Sequence, residues 1–138
     1  MIDDFKKAEM AEKILRGYKV VAVVGISDKP DRPSFRVASY LQRQGYTIVP
    51  VNPLITRVLG QTSYPDLRSI PFEIEIVDIF RKSEEVAPIV DAAIEKGAKA
   101  IWMQEGVIDE ESAVKAKNKG LEVVMDLCML QEHQKYAV

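Results

Sequence analysis

Five apolar runs of strand length, separated by stretches of helical period, constrain this chain more than any other feature. They are "YKVVAVV" (18–24), "YTIVPV" (46–51), "IEIVDIF" (74–80), "AKAIWM" (98–103) and "LEVVMD" (121–126). Their nearly continuous apolar character is that of strands covered on both faces, as in a parallel sheet. Between them the period changes. Val37, Ala38 and Leu41 make a helical stripe that Gly45 stops, with Ser34 as the expected N-cap. Ile89, Val90, Ala93 and Ile94 make another, ending at Gly97, and Pro88 fits only near its first turn. Asp109 is placed to cap a third helix that runs to Lys119 and stops at Gly120.

Before the first run, residues 3–16 carry Phe5, Ala8, Ala11 and Leu15 on one face, with Gly17 as a stop. A short strand-like piece, "RVLGQTSY" (57–64), interrupts the polar connection after the second run. Strands alternating with helices predict an α/β protein with a Rossmann-like, doubly wound, mainly parallel sheet and helices on both faces. One domain fills residues 1–138: an N-terminal helix (3–16), a core over about 18–126 and a tail (127–138) left without an element.

Composition narrows the function classes. The net charge of −2 with no block of like charges argues against wholesale binding to nucleic acid or membrane surfaces. No apolar run approaches the ~18 residues of a membrane span. The start, "MIDDFKKAEM", lacks the apolar core of a signal peptide. Cys128 is the one cysteine, so an internal disulfide is excluded. These features read as a cytoplasmic protein.

In such sheets ligands lie beyond the carboxyl ends of the strands, where the strand order reverses. Four segments should meet there: "GISDKPDRPSF" after the first run, "NP" after the second, "FRKS" after the 74–80 run and "QEG" after the 98–103 run. Gly25 permits a tight turn and a close backbone approach. Ser27 and Ser34 offer hydroxyls, the helix start near Ser34 offers free N–H groups, and Lys29, Arg32 and Arg36 add positive charge. Together they suit an anion, most simply a phosphate. The bland alternative is a solvated loop.

The usual dinucleotide signature is missing. No second and third glycines follow Gly25, and the second run ends in Asn52 and Pro53 where an NAD site wants a carboxylate for the ribose hydroxyls. Catalytic machinery is thin as well. His133, the sole histidine, lies in the tail and reads as a surface residue; no metal site and no catalytic triad is expected around it. Glu105 reads as a cap or solvated charge before it reads as a base. Cys128 reads as an inert buried thiol.

Taken together, "VAVVGISDKPDRPSFRVASYLQRQGYTIVPVNP", Gly60, "VDIFRKSEEV", "IWMQEGV" and "VVMDLCM" resemble the small stand-alone CoA-binding proteins, whose domain is similar to the N-terminal domain of the succinyl-CoA synthetase α-subunit. The resemblance spans about Val20 to Cys128. It implies a Rossmann-like sheet that binds coenzyme A, or acyl-CoA, where others bind NAD. Carried onto this chain, it sets Gly25, Ile26 and Ser27 against the nucleotide, with Asn52 and Pro53 bordering the same cleft. Phe80, Arg81, Gln104, Glu105 and Gly106 would line it from the next strands. The family often carries an arginine where this chain has Leu127. The synthetase's phosphorylated histidine belongs to a second domain absent here, so ligase activity is not implied.

The leading expectation is a CoA-binding, sensing or carrier protein without established catalysis, with a homo-oligomer open. The alternatives are an NAD(P)-linked oxidoreductase, a CoA-dependent enzyme acting with a partner subunit, or an interaction protein that uses the sheet as scaffold. CoA ends in a thiol, which also raises a mixed disulfide with Cys128.

Overall fold

The computed structural model describes residues 2–136, so Met1 and the last two residues of the tail lie outside it. Helix α1 (Ile2–Gly17) leads into strand β1 (Val20–Val24), α2 (Pro33–Arg43) and β2 (Thr47–Val51). A hairpin, β3 (Arg57–Val58) and β4 (Gln61–Thr62), follows; then come β5 (Ile76–Ile79), α3 (Val86–Lys96), β6 (Ala100–Met103), α4 (Glu110–Asn118), β7 (Glu122–Val124) and α5 (Met129–Tyr136). Five strands form one parallel sheet in the order β2-β1-β5-β6-β7. The architecture is the expected doubly wound α/β sheet, and order reverses between β1 and β5. The 57–64 piece is strand, but it pairs only with itself, antiparallel.

Each strand alternates its side chains between two cores. Val21, Val23, Ile48, Ile76 and Trp102 pack beneath α1, α2 and α5, whereas Ala22, Val24, Val51, Val77 and Ile79 pack beneath α3 and α4. That double burial is the reason the runs read as unbroken apolar stretches.

Three expectations need correction, and the tail, uncertain from sequence, gains an element. Phe5 is 66% exposed, because α1 docks through Ala11, Ile14 and Leu15. Ser34 does not cap α2: Pro33 takes the first turn, where its missing N–H costs nothing, and Arg32 holds the N-cap position with no side-chain bond. The tail forms α5, which buries Met129 and His133. His133 is therefore a core residue and not a surface one: its Nδ1 lies 2.7 Å from the Tyr40 hydroxyl, and its ring meets Tyr40 and Tyr46 edge-on.

Candidate functional site

Three contiguous clefts surround the reversal point at the carboxyl edge of the sheet. The first, about 520 Å³, opens on the α3 side between Val24, Val51, Pro53, Leu67, Ile89 and Ala92. The second, about 610 Å³, opens on the α2 side between Val37, Phe80, Gln104, Val107 and Cys128. A third of about 340 Å³ lies on the loop after β1, walled by Ser27, Lys29, Arg32 and Ser34. Shared walls order them: Gly25 borders the first and the third, and Pro33 and Phe80 border the third and the second. Arg81 borders the first and second, and its guanidinium pairs with Glu85 at 2.6 Å between them. That hydrogen-bonded ion pair holds the Glu85 carboxyl below its ordinary range.

Gly25 makes this meeting point possible. It sits at φ +89°, and its N–H donates to the Val51 carbonyl at 2.9 Å. On its other side the Phe80 carbonyl and the Arg81 stem lie where a side chain would be. The loop beyond it is tied by its own hydroxyls. Ser34 Oγ accepts from the Ser27 N–H at 2.9 Å, and Ser27 Oγ accepts from the Lys29 N–H at 3.0 Å. Both serines thus shape the turn while lining the third cleft.

The remaining residues singled out in the sequence separate. Lys29, Arg32, Pro53, Phe80, Arg81, Gln104 and Glu105 line the clefts. The Ile26 side chain is fully buried in the core under α2, and only its backbone reaches the edge. Arg36 lines none of the three clefts; its guanidinium turns back to the Asp31 carbonyl at 2.5 Å. Gly106 also stands outside their walls, its N–H donating to Asp126 Oδ1 at 2.7 Å.

Asn52 borders the first cleft, but both ends of its amide are engaged by the chain. Nδ2 donates to the Ile26 carbonyl and Oδ1 accepts from the Leu54 N–H, each at 2.8 Å. The residue stitches the loop after β1 to the loop after β2. Asn52→Asp would set a carboxylate oxygen against the Ile26 carbonyl. It is expected to lower stability by about 1–3 kcal/mol in urea denaturation, the cost of losing one buried partner. An unchanged midpoint would show that the stitch carries no load.

Sequence reasoning missed several lining residues. Pro65, Asp66, Leu67 and Arg68 close the first cleft from an aperiodic connection, so no pattern marked them. Glu84 and Glu85 were legible as acids in a βα loop. Cys128, expected to be buried, is partly exposed in the wall of the second cleft. Asp78 was legible as an acid in the middle of an apolar run. It is fully buried in β5; Oδ1 accepts from Gln104 Nε2 at 2.6 Å, and Oδ2 has no hydrogen-bond partner. Burial pushes its carboxyl up to about 7, although the Gln104 bond opposes the shift.

No helix among the described residues is long and apolar enough to cross a membrane. No group of three or more His, Cys, Asp or Glu among them is placed to hold a metal ion.

Comparison with known proteins finds relatives of similar size and a much longer one. The family model described as a CoA binding domain matches residues 19–134. The Bacillus subtilis protein YneT, itself uncharacterized, is 42% identical over 127 residues, covering 92% of this chain and 93% of that one. A hypothetical protein from Pyrococcus horikoshii superposes with a TM-score of 0.90 at 40% identity, covering 95% of this chain and 92% of that one. An ADP-forming acetate–CoA ligase of Archaeoglobus fulgidus is 29% identical over 109 residues, which are 76% of this chain but 16% of the ligase.

Proposed function

The chain belongs to the CoA-binding domain family, and from that premise we propose that it binds coenzyme A along the carboxyl edge of its sheet, as a binding, sensing or carrier protein and not as a catalyst. The observation that carries this reading is the series of three clefts joined at Gly25 and Phe80. Coenzyme A has three parts in the same order. The adenine suits the apolar first cleft, flanked by Val24, Val51, Leu67 and Ile89. The phosphates suit the loop with Lys29, Arg32 and the N-terminus of α2. The pantetheine arm then runs past Phe80 into the second cleft.

Calorimetry with CoA, NAD and ADP tests the reading. CoA is expected to bind tightest, and NAD binding as well as CoA would favour an oxidoreductase instead. Within the site, Lys29→Ala and Arg32→Ala are each expected to weaken CoA about three- to tenfold at low salt and to flatten its salt dependence. Arg36→Ala should leave both unchanged, since its guanidinium serves the Asp31 carbonyl. Equal losses at all three positions would mean a diffuse basic field and no defined phosphate site.

A further inference from the structure

Gln104 is the most confined polar side chain of the second cleft. It stands at the end of β6, is 4% exposed, and lines the cleft beside Val107 and Cys128. Its backbone is fixed at both ends: N–H to the Ile79 carbonyl at 3.3 Å, and carbonyl from the Val107 N–H at 2.8 Å. Its side chain is fixed as well, because Nε2 donates to Oδ1 of the fully buried Asp78 at 2.6 Å. An acid with its proton on the other oxygen still accepts at Oδ1, so the amide nitrogen is held in either protonation state. Nε2 carries two hydrogens and Asp78 takes one.

We propose that the second hydrogen reads the carbonyl of an acyl thioester, so that Gln104 makes the site prefer short acyl-CoA over free CoA. The inference rests on the CoA reading above and deepens it. A thioester carbonyl is a full acceptor, whereas a thiol sulfur is a weak one. Val37, Phe80, Val107 and Cys128 give the cleft an apolar wall. Arg81, paired with Glu85, and Lys82, which lines the cleft with Glu105, balance the charges of the lining, so the apolar wall selects the acyl group, and a short uncharged one fits it. Gln104 is the residue that touches the ligand, and Asp78 is its positioning residue.

The test is calorimetry with CoA, acetyl-CoA and S-ethyl-CoA, a thioether of similar size that has no carbonyl. The wild type should bind acetyl-CoA about three- to tenfold more tightly than either of the others, the yield of one hydrogen bond. Gln104→Met should erase that preference, so that the variant binds acetyl-CoA no more tightly than S-ethyl-CoA. Asp78→Val should erase it too, and Asp78→Asn, which keeps an acceptor for Nε2, should retain it. Should the single methionine variant fail to fold, the Asp78→Val, Gln104→Met double variant removes both polar partners together, which is far milder than orphaning one. Equal binding of acetyl-CoA and S-ethyl-CoA by the wild type overturns the proposal, as does a preference that survives in the methionine variants. If CoA itself gives no binding heat, the CoA reading falls and the inference falls with it.

Discussion

Gly25→Ala is expected to abolish ligand binding and to lower stability by about 3 kcal/mol or more, the largest loss expected from a methyl added at any of the glycines. Two costs combine. The first is backbone conformation, since φ +89° is a region L-residues rarely adopt. The second is space. An added Cβ would overlap the Phe80 carbonyl oxygen and stand 2.8 Å from Arg81 Cδ. The Arg81 stem can swing away, but the Phe80 carbonyl cannot, because the Phe80 N–H is bonded to the Val24 carbonyl at 2.9 Å in the sheet. Relief therefore has to come from opening β1 from β5, where the three clefts meet. Gly120→Ala separates the two costs, for it has the same φ of +89° with nothing within 4 Å of its added Cβ. That variant should lose only the conformational part, about 1–2 kcal/mol. Denaturant midpoints of the two variants decide it; equal losses would mean that the contact with Phe80 contributes nothing.

This glycine was legible because a lone Gly directly after an apolar run has few other reasons to be there. The partner it makes room for was not legible, since the Phe80 carbonyl arrives from 55 residues away along the chain. The strands were readable for a related reason. Burial on both faces imposes one composition on a whole run, and no tertiary knowledge is needed to see it. Helix starts were read less well. A serine before an apolar stripe suggests a cap, yet Ser34 spends its hydroxyl on the Ser27 N–H, a tertiary tie with no local signature. Pro33 was the better signal, since proline prefers the first helical position.

The lining of the clefts was legible where it lies on loops that directly follow strands, as with Lys29, Pro53, Arg81 and Gln104. It was illegible in the 52–73 connection, whose turn at Pro65–Arg68 has no period and closes the first cleft only because the chain returns there. Asn52 shows a further limit. It borders a cleft, but its ties to the Ile26 carbonyl and the Leu54 N–H have no signature in the sequence. His133 failed in the opposite direction. Isolation along the sequence says nothing about neighbours in space, and α5 brings it to Tyr40 and Tyr46.

Asp78→Asn is expected to make the protein markedly more stable above neutral pH while leaving it nearly unchanged near pH 4. In the folded chain the Asp78 carboxyl is pushed up to about 7 by complete burial; unfolded, it returns to 3.8. Between these values the native state holds a proton that the unfolded state has released. Stability contributed by this group is therefore fully present below about pH 4, falls as pH rises, and is gone once pH passes about 7. A shift of this size corresponds to a loss on the order of 4 kcal/mol across the window. Glu85 and Glu122 are held below their ordinary range, so they act in the opposite sense, gaining stability as pH rises through the acid range. The whole-protein profile blends these effects, and only the difference between wild type and variant isolates Asp78. Asparagine still accepts from Gln104 Nε2 and carries no charge at any pH. At low pH it replaces one neutral group by another, each with one polar atom lacking a partner. Urea denaturation of both proteins from pH 4 to pH 8 should give curves that start together and diverge up to about pH 7. Parallel curves would mean that Asp78 titrates alike in the folded and unfolded chains, and that the carboxyl in the middle of β5 is not held neutral by its burial.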